Sequence, residues 1–340
     1  MWDWVHTRPP KHESDDVLSY LATGFISDWN RISPQAAVLR VLRASRVLWM
    51  REGARRLLDN LAYRRHVEAV EPGDAAFFLS HRHYLAKGLS PAQRARAAFH
   101  HYDHEVTAFD SAYLDAVYVG RGLVLWRREV DEGVFEIRLL PGNDVLFEGG
   151  VSVVAFFGDV RIAVLSYANV PTDILLPGYV TAEDEPPLEA STIFATRKQL
   201  TWDHALYQKA FNKAFDRSTL GHFCFAALTG LALAQGRHRL MAIAPEAHPA
   251  FTPELEGTFR LAYADFWASL GGRPVSPQGW LIDLPMRLTP LDQLDAKARK
   301  RAMARRQHIE DVQNETFETV RRHLVAPPAL VNGSASLGEA

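Results

Sequence analysis

A short basic segment, Arg197-Lys198-Gln199-Leu200-Thr201-Trp202, stands between a predicted strand over Ser191–Thr196 and a predicted helix over Thr201–Phe215. The unpaired N–H groups and the dipole at a helix start favour an anion, and neighbouring cations strengthen that preference. We therefore predict a site for the phosphates of a cofactor, with Arg197, Lys198, Gln199 and Thr201 as its contacts. Close approach of backbone to phosphate usually requires glycine, which this turn lacks. A strand edge with solvated basic side chains is the alternative interpretation.

A pair of histidines, His100 and His104, lies one helical turn apart in a segment that Ser90-Pro91 opens as a helix. This spacing places both rings on one face, as in helical metal-binding pairs, and neutral imidazole suits zinc, iron or nickel. The spacing identifies no third ligand. A polar helix face, with Phe99 and Tyr102 packed inward, is the alternative interpretation.

Candidate proton donors and bases lie in two later helices. Tyr263 and Asp265 belong to a predicted helix over Pro253–Leu270, and His222 belongs to one over Ser218–Gln235. We predict that Asp265, Trp267 and Tyr263 lie nearer the acceptor. Tyr263 or His222 is predicted to transfer a proton, which requires hydrogen-bond reach in the formed site. Cys224 is two positions from His222 and so faces another side of the helix. It is expected to be a buried, inert thiol.

A basic surface is predicted at the start of the last helix, Asp295–His323. Its cations are Lys297, Arg299, Lys300, Arg301, Arg305 and Arg306. Such a cluster could bind the phosphates of RNA or lipid headgroups, or an acidic carrier protein. Acidic residues follow it, so a solvated, charge-segregated face is the alternative.

The order of the predicted elements favours an α+β fold. Residues 1–120 form an N-terminal helical region, and from Gly122 short β-branched and aromatic runs separated by turns indicate an antiparallel meander. The segment Pro171–Pro187 is interpreted as a loop. Further strands are predicted at Leu240–Pro245 and Trp280–Pro285. We expect the helical region to pack on a mixed, largely antiparallel sheet with flanking helices in residues 121–325, followed by a disordered tail, residues 326–340.

Composition and charge exclude several classes of protein. The 340 residues are 47% hydrophobic and 23% charged, which is ordinary for a globular chain, and the net charge of −2 gives no overall attraction to nucleic acid or anionic lipid. The single cysteine cannot form an intramolecular disulfide. The sequence shows no secretory signal, no apolar run long enough to span a bilayer, and no Walker or dinucleotide motif. We expect a cytoplasmic protein.

Several motifs of the sequence resemble the bacterial VirK/YbjX family. The later motif runs from Tyr263-Ala264-Asp265-Phe266-Trp267 through Gly271-Gly272 to Gly279-Trp280, and the earlier one is Tyr84-Leu85-Ala86-Lys87-Gly88 followed by His100-His101-Tyr102. The likeness spans roughly residues 75 to 325. One departure is that the turn at Arg197 lacks the glycine usual in the family. The resemblance implies an association with virulence and envelope phenotypes, without an agreed reaction.

The predicted order of elements is also similar to that of GNAT-like acyltransferases, which hold the pyrophosphate of coenzyme A at the start of the helix that follows a central strand. This likeness implies an acyl- or aminoacyl-transferase that uses coenzyme A or another activated acyl donor. Two alternatives stay open. One is a metal-dependent enzyme using His100 and His104, and the other is a non-catalytic protein that binds envelope or nucleic-acid partners through its basic helix.

Overall fold

The computed structural model describes residues 59–60, 63, 84–142, 149–179, 188–200, 204–216, 218–286, 292 and 295–326. The helices predicted before residue 84 and the predicted tail after residue 326 therefore lie outside the described residues.

The first described helices begin at the side-chain caps that the sequence predicts. In α1, Pro91–Ala108, the Ser90 hydroxyl accepts from the Gln93 backbone N–H while the Gln93 side chain accepts from the Ser90 N–H, so both free donors are satisfied. In α2, Ser111–Tyr118, the Asp110 carboxylate accepts from the Tyr113 N–H. The predicted helix start at Ser90-Pro91 is confirmed.

The described strands form one eight-stranded sheet in the order β1-β2-β3-β4-β5-β6-β8-β7. Neighbouring strands are antiparallel except β5 and β6, which run parallel. Their bounds are β1 Leu123–Val130, β2 Gly133–Pro141, β3 Val151–Phe157, β4 Val160–Pro171, β5 Ser191–Leu200, β6 Arg239–Ile243, β7 Arg273–Ser276 and β8 Gly279–Asp283. The predicted meander and the α+β class are confirmed.

The later helices connect and cover these strands. Their bounds are α3 Thr172–Leu175, α4 His204–Ala214, α5 Leu220–Ala234, α6 over residues 253–269 and α7 Ala296–Arg321. Helix α6 is irregular, because it starts as a 3₁₀ turn and contains a π turn, Arg260–Ala264. Single π turns inside helices are frequent at functional sites.

Three predicted elements differ from the structure. Strand β5 continues through Leu200, four residues beyond the predicted end, because its polar residues pair with β4. The segment interpreted as a loop begins with the short helix α3. Strand β7 was not predicted, because it is short and contains Pro274. Proline is tolerated there since β7 lies at the end of the strand order.

The core is continuous from α1 through the sheet to α7. Strand β4 is buried at every position from Ile162 to Pro171, and because alternate side chains of a strand point to opposite faces, both faces of β4 are covered. Helix α1 packs on β4, and α5 lies between the sheet and α7. The predicted domain boundary near residue 120 stays a prediction. None of the helices in the described residues is both apolar enough and long enough to cross a membrane.

Candidate functional site

The parallel pair β5 and β6 separates soon after it forms. The two strands are paired only at Phe194 with Met241 and at Ala195 with Ala242. At the next residue of β5, Thr196, the pairing with β4 shifts by one, so that Ser166 faces Arg197 and Tyr167 faces Ala195. Such a bulge bends the strand that carries it. We call the space beyond Ala195 and Ala242, between the carboxyl-terminal parts of the two strands, the strand gap.

The basic residues predicted in a turn lie in the last part of β5. Arg197, Lys198 and Gln199 face Ser166, Leu165 and Val164 of β4, so the turn interpretation is wrong. The physical reason is that the outer end of this strand is half exposed and accepts polar side chains. Thr201 lies outside the described residues.

Lys198, in the carboxyl-terminal part of β5, packs its ammonium group against α6. Its Nζ lies 4.1 Å from the centre of the Phe266 ring of α6, within the range of a cation–π contact. Burial lowers the pKa of Lys198 because water no longer surrounds the charged form. An anion placed beside this ammonium would restore the stabilisation that water no longer gives.

Tyr263 reaches into the strand gap from the π turn of α6. Its hydroxyl oxygen lies 3.4 Å from the backbone nitrogen of Lys198 and 3.5 Å from the Lys198 carbonyl oxygen. It also lies 3.0 Å from Nε2 of His248. Tyr263 is buried, and it packs face to face with Phe259 at a ring-centre distance of 5.5 Å. The hydroxyl therefore stands where β6 has left the backbone of β5.

His222 approaches the same place from the start of α5. Thr219 caps this helix, and its hydroxyl lies 2.6 Å from Nδ1 of His222. The His222 ring packs edge-on against Phe266 at a centre distance of 5.2 Å. Burial, with Lys198 and Arg305 nearby, lowers the pKa of His222, so the ring is neutral at pH 7.

Asp265 lies apart from these residues. Its carboxylate is about half exposed and pairs with the exposed Arg260 guanidinium at 3.4 Å. The next residues of the same helix turn inward, and Trp267 is fully buried with its Nε1–H donating to the Ile243 carbonyl at the end of β6, at 3.0 Å. Of the residues predicted to transfer protons, Tyr263 contacts the backbone of Lys198, His222 packs on the same Phe266 ring as the Lys198 ammonium, and Asp265 lies at the surface.

The two predicted metal ligands hold α1 to other elements. His100 Nε2 lies 2.7 Å from the Ser191 hydroxyl at the start of β5, and His104 Nε2 lies 2.7 Å from Oε1 of Gln235 after α5. Burial lowers both pKa values, that of His104 to about 4, so both rings are neutral at pH 7. Within the described parts of the chain, no three His, Cys, Asp or Glu side chains are grouped closely enough to hold a metal ion.

Replacing both His100 and His104 with alanine is expected to leave the fold intact and to lower the free energy of unfolding by about 2 kcal/mol, because each loses one partly buried hydrogen bond. Thermal melts measure the change. Elemental analysis of protein purified without chelators tests the metal hypothesis. Stoichiometric metal in the wild type that is lost in the double variant would favour the metal-dependent alternative.

Sequence analysis did not predict the surroundings of two residues. His248 follows a buried strand by five residues, which is a weak signal, and its partner Tyr263 is brought to it only by folding. Glu105 is fully buried in α1, where its carboxylate accepts from Tyr118 at 3.2 Å and from Asn169 at 3.5 Å. In the sequence, His101 and Glu105 have the spacing of a second metal-binding pair on an adjacent face of the helix, and only the packing of α1 on β4 shows that Glu105 is fully buried.

Comparison with known proteins gives one family. Residues 37–174 match the family model described as "Protein of unknown function (DUF535)". DUF535 is the same family as VirK/YbjX. The match supports the resemblance over α1, α2 and the first four strands, and it ends before β5, where the strand gap begins. No curated protein and no solved structure matches the chain.

Proposed function

We propose that this VirK/YbjX-like chain is an acyl- or aminoacyl-transferase-like enzyme that binds an activated, phosphorylated acyl donor in the strand gap. The observation that carries the proposal is the separation of the one parallel strand pair in the described sheet, with Lys198, His222 and Tyr263 gathered at the opening. Ligands of open sheets bind outside the carboxyl ends of parallel strands, at the point where the strand order changes. The order of the elements, a meander followed by a parallel pair that helices connect, is the order in GNAT-like acyltransferases.

The phosphate contacts are assigned to Lys198, Arg197 and the start of α5. Helix α5 has 15 residues, and the partial positive charge at its N-terminal N–H groups favours an anion. Its second residue is Gly221, and a Cβ there would touch Phe266 and Lys198 at 3.4 to 3.6 Å. Gly221 therefore places beside Lys198 a glycine, the residue type that the basic segment at Arg197 lacks. Gln199 is exposed beside Arg197 and would contact the outer part of the donor.

The chemistry assigned to the site is acyl transfer. The acceptor's nucleophile attacks the acyl carbon and loses its proton. The bond between the acyl carbon and the donor's sulfur or oxygen then breaks, and the leaving sulfur or oxygen must receive a proton. Tyr263 is assigned as that proton donor because its hydroxyl stands in the strand gap. His222 is neutral and accepts the proton that the nucleophile loses. Asp265 at the rim would contact the acceptor.

Replacing Arg197 and Lys198 together with glutamine is expected to weaken donor binding about tenfold or more, with little change in the melting temperature, because two cations at a phosphate are removed and no cavity is made. The difference should shrink as salt is added, since a half-exposed phosphate contact is screened. Isothermal titration with coenzyme A, acyl-coenzyme A and aminoacyl-tRNA measures it.

The control is the double replacement of Arg321 and Arg322 with glutamine, which removes the same charge from the far end of α7. It should bind the donor as the wild type does. Equal weakening in both variants would show a nonspecific charge effect. No binding of any of these donors by the wild type would reject the acyltransferase proposal.

The basic helix supports a second candidate function, in which the protein is not an enzyme and binds RNA, lipid headgroups or an acidic carrier protein. Lys297, Arg299, Lys300, Arg301 and Arg305 are exposed on the first half of α7. Binding there would be steeply salt-dependent, because it rests on neutralised phosphates. Gel-shift and vesicle sedimentation assays separate this candidate from the first, since variants of the exposed Lys297 and Arg301 would abolish this binding and leave donor binding in place.

A further inference from the structure

We infer that His248 is a positioning residue, which fixes the Tyr263 hydroxyl in the strand gap and donates the hydrogen bond that prepares this hydroxyl to release its own proton. His248 follows β6 in the chain and reaches Tyr263 from behind the strand gap. The use of this pair in proton transfer rests on the function proposed above. The arrangement of the pair does not.

The backbone determines which nitrogen of His248 carries the proton. The Ala250 N–H donates to Nδ1 of His248 at 3.1 Å, so Nδ1 is the acceptor and the neutral ring carries its proton on Nε2. Nε2 lies 3.0 Å from the Tyr263 oxygen. The ring therefore donates to the phenol, and the opposite direction would leave the Ala250 N–H facing another donor.

The ring stays neutral over the working pH range. Burial, with Arg197 and Lys87 nearby, lowers the pKa of His248 to about 4. Lys87 donates to the Phe251 carbonyl oxygen at 2.5 Å, which holds this cation near the ring. His248 is thus a constant hydrogen-bond donor and does not exchange protons with solvent around pH 7.

Within the described part of the chain, two donors and one acceptor lie around the Tyr263 oxygen. The His248 Nε2–H and the Lys198 N–H, at 3.4 Å, both point at the oxygen, and the Lys198 carbonyl at 3.5 Å takes the hydroxyl proton. Donors to the oxygen stabilise the phenolate and so favour release of the proton. The stacked Phe259 and the neighbouring Trp267 restrict rotation of the ring.

The experiment compares His248→Leu, which removes the donor, with His248→Gln, whose side-chain N–H can replace Nε2–H. His323→Gln, a surface histidine that pairs with Asp110, is the control. Carbon-13 NMR of the Tyr263 Cζ, assigned with Tyr263→Phe, reports both the hydrogen bond and the ionisation of the phenol. Nitrogen-15 NMR of the histidines reports the protonated nitrogen.

We expect a His248 ring protonated only on Nε2 from pH 5 to pH 9. In His248→Leu we expect a clear change in the chemical shift of the Tyr263 Cζ or in the pH at which it titrates. In His248→Gln we expect this change to be partly reversed, and in His323→Gln we expect no change. A ring protonated on Nδ1, or the same Tyr263 signal in the wild type and His248→Leu, would overturn the inference. These spectra need no donor, so failure to bind a donor would reject the proposed function alone.

Once a transfer reaction is measured, His248→Leu is expected to lower kcat about tenfold or more with KM nearly unchanged, because proton donation is impaired while binding is not. His248→Gln should recover part of kcat. Equal loss in both variants, without recovery, would indicate a purely structural role and overturn the inference.

Discussion

Replacing Trp267 with alanine is expected to lower the free energy of unfolding by about 3–5 kcal/mol. The indole is fully buried and contacts the rings of Phe225, Tyr263 and Phe266, so its removal leaves a cavity that these large rings cannot fill by small shifts. The variant also leaves the Ile243 carbonyl without the indole donor. Urea unfolding followed by fluorescence and circular dichroism measures the loss.

Two further variants separate the packing from the hydrogen bond. Trp267→Phe keeps much of the volume and should lose roughly half as much stability as the alanine variant. Leu261→Ala, on the exposed side of the same helix, should change stability by less than about 0.5 kcal/mol. An unchanged unfolding midpoint in Trp267→Ala would show that the indole is exposed and would make it a candidate ligand contact.

Replacing Glu105 with glutamine is expected to stabilise the protein above pH 7 and to change little at pH 4.5. Burial raises the pKa of the Glu105 carboxyl to about 7, against the hydrogen bond from the Tyr118 hydroxyl, which favours the charged form. The groups that face it are Tyr102, Tyr113, Tyr118 and Tyr167, together with the amide of Asn169. Each pKa unit above the ordinary value of 4.5 corresponds to about 1.4 kcal/mol, so the gain is at most about 3–4 kcal/mol.

The sign follows from proton uptake. Between pH 4.5 and pH 7 the folded protein holds a proton on Glu105 that the unfolded chain has released, so the wild type loses stability as the pH rises through this range. Glutamine carries no such proton, and the difference between the two proteins should grow up to about pH 7 and then stay constant. Urea unfolding at pH 4.5, 6 and 8 tests this, with Glu318→Gln on the exposed face of α7 as the control. A difference that does not vary with pH would contradict it.

Local patterns predicted much of the fold, because they depend on neighbours in the chain. The cap at Ser90-Pro91 and the short β-branched and aromatic runs of the meander form where the sequence indicates. The end of β5 could not be predicted in this way. Arg197 and Lys198 resemble a basic turn, and only their pairing with β4 makes them a strand.

The residues of the candidate site were predicted only in part, because their types can be read from the sequence and their contacts cannot. Tyr263, His222 and Lys198 were selected by residue type, but their meeting depends on where β6 separates from β5, which no local pattern specifies. His248 was missed because its role depends on a partner 15 residues away that it meets only through the π turn. The burial of Glu105 was not predicted because its helix face is polar in sequence and becomes buried only when α1 packs on β4.

The most direct test of the strand-gap site is a crystal structure of the protein grown with coenzyme A or its acyl form. The account predicts density between β5 and β6 that lies beside the Lys198 ammonium and the start of α5, with the reactive end of the donor near the Tyr263 hydroxyl. A donor bound along the basic half of α7, beside His100 and Ser191, or nowhere on the chain would contradict it.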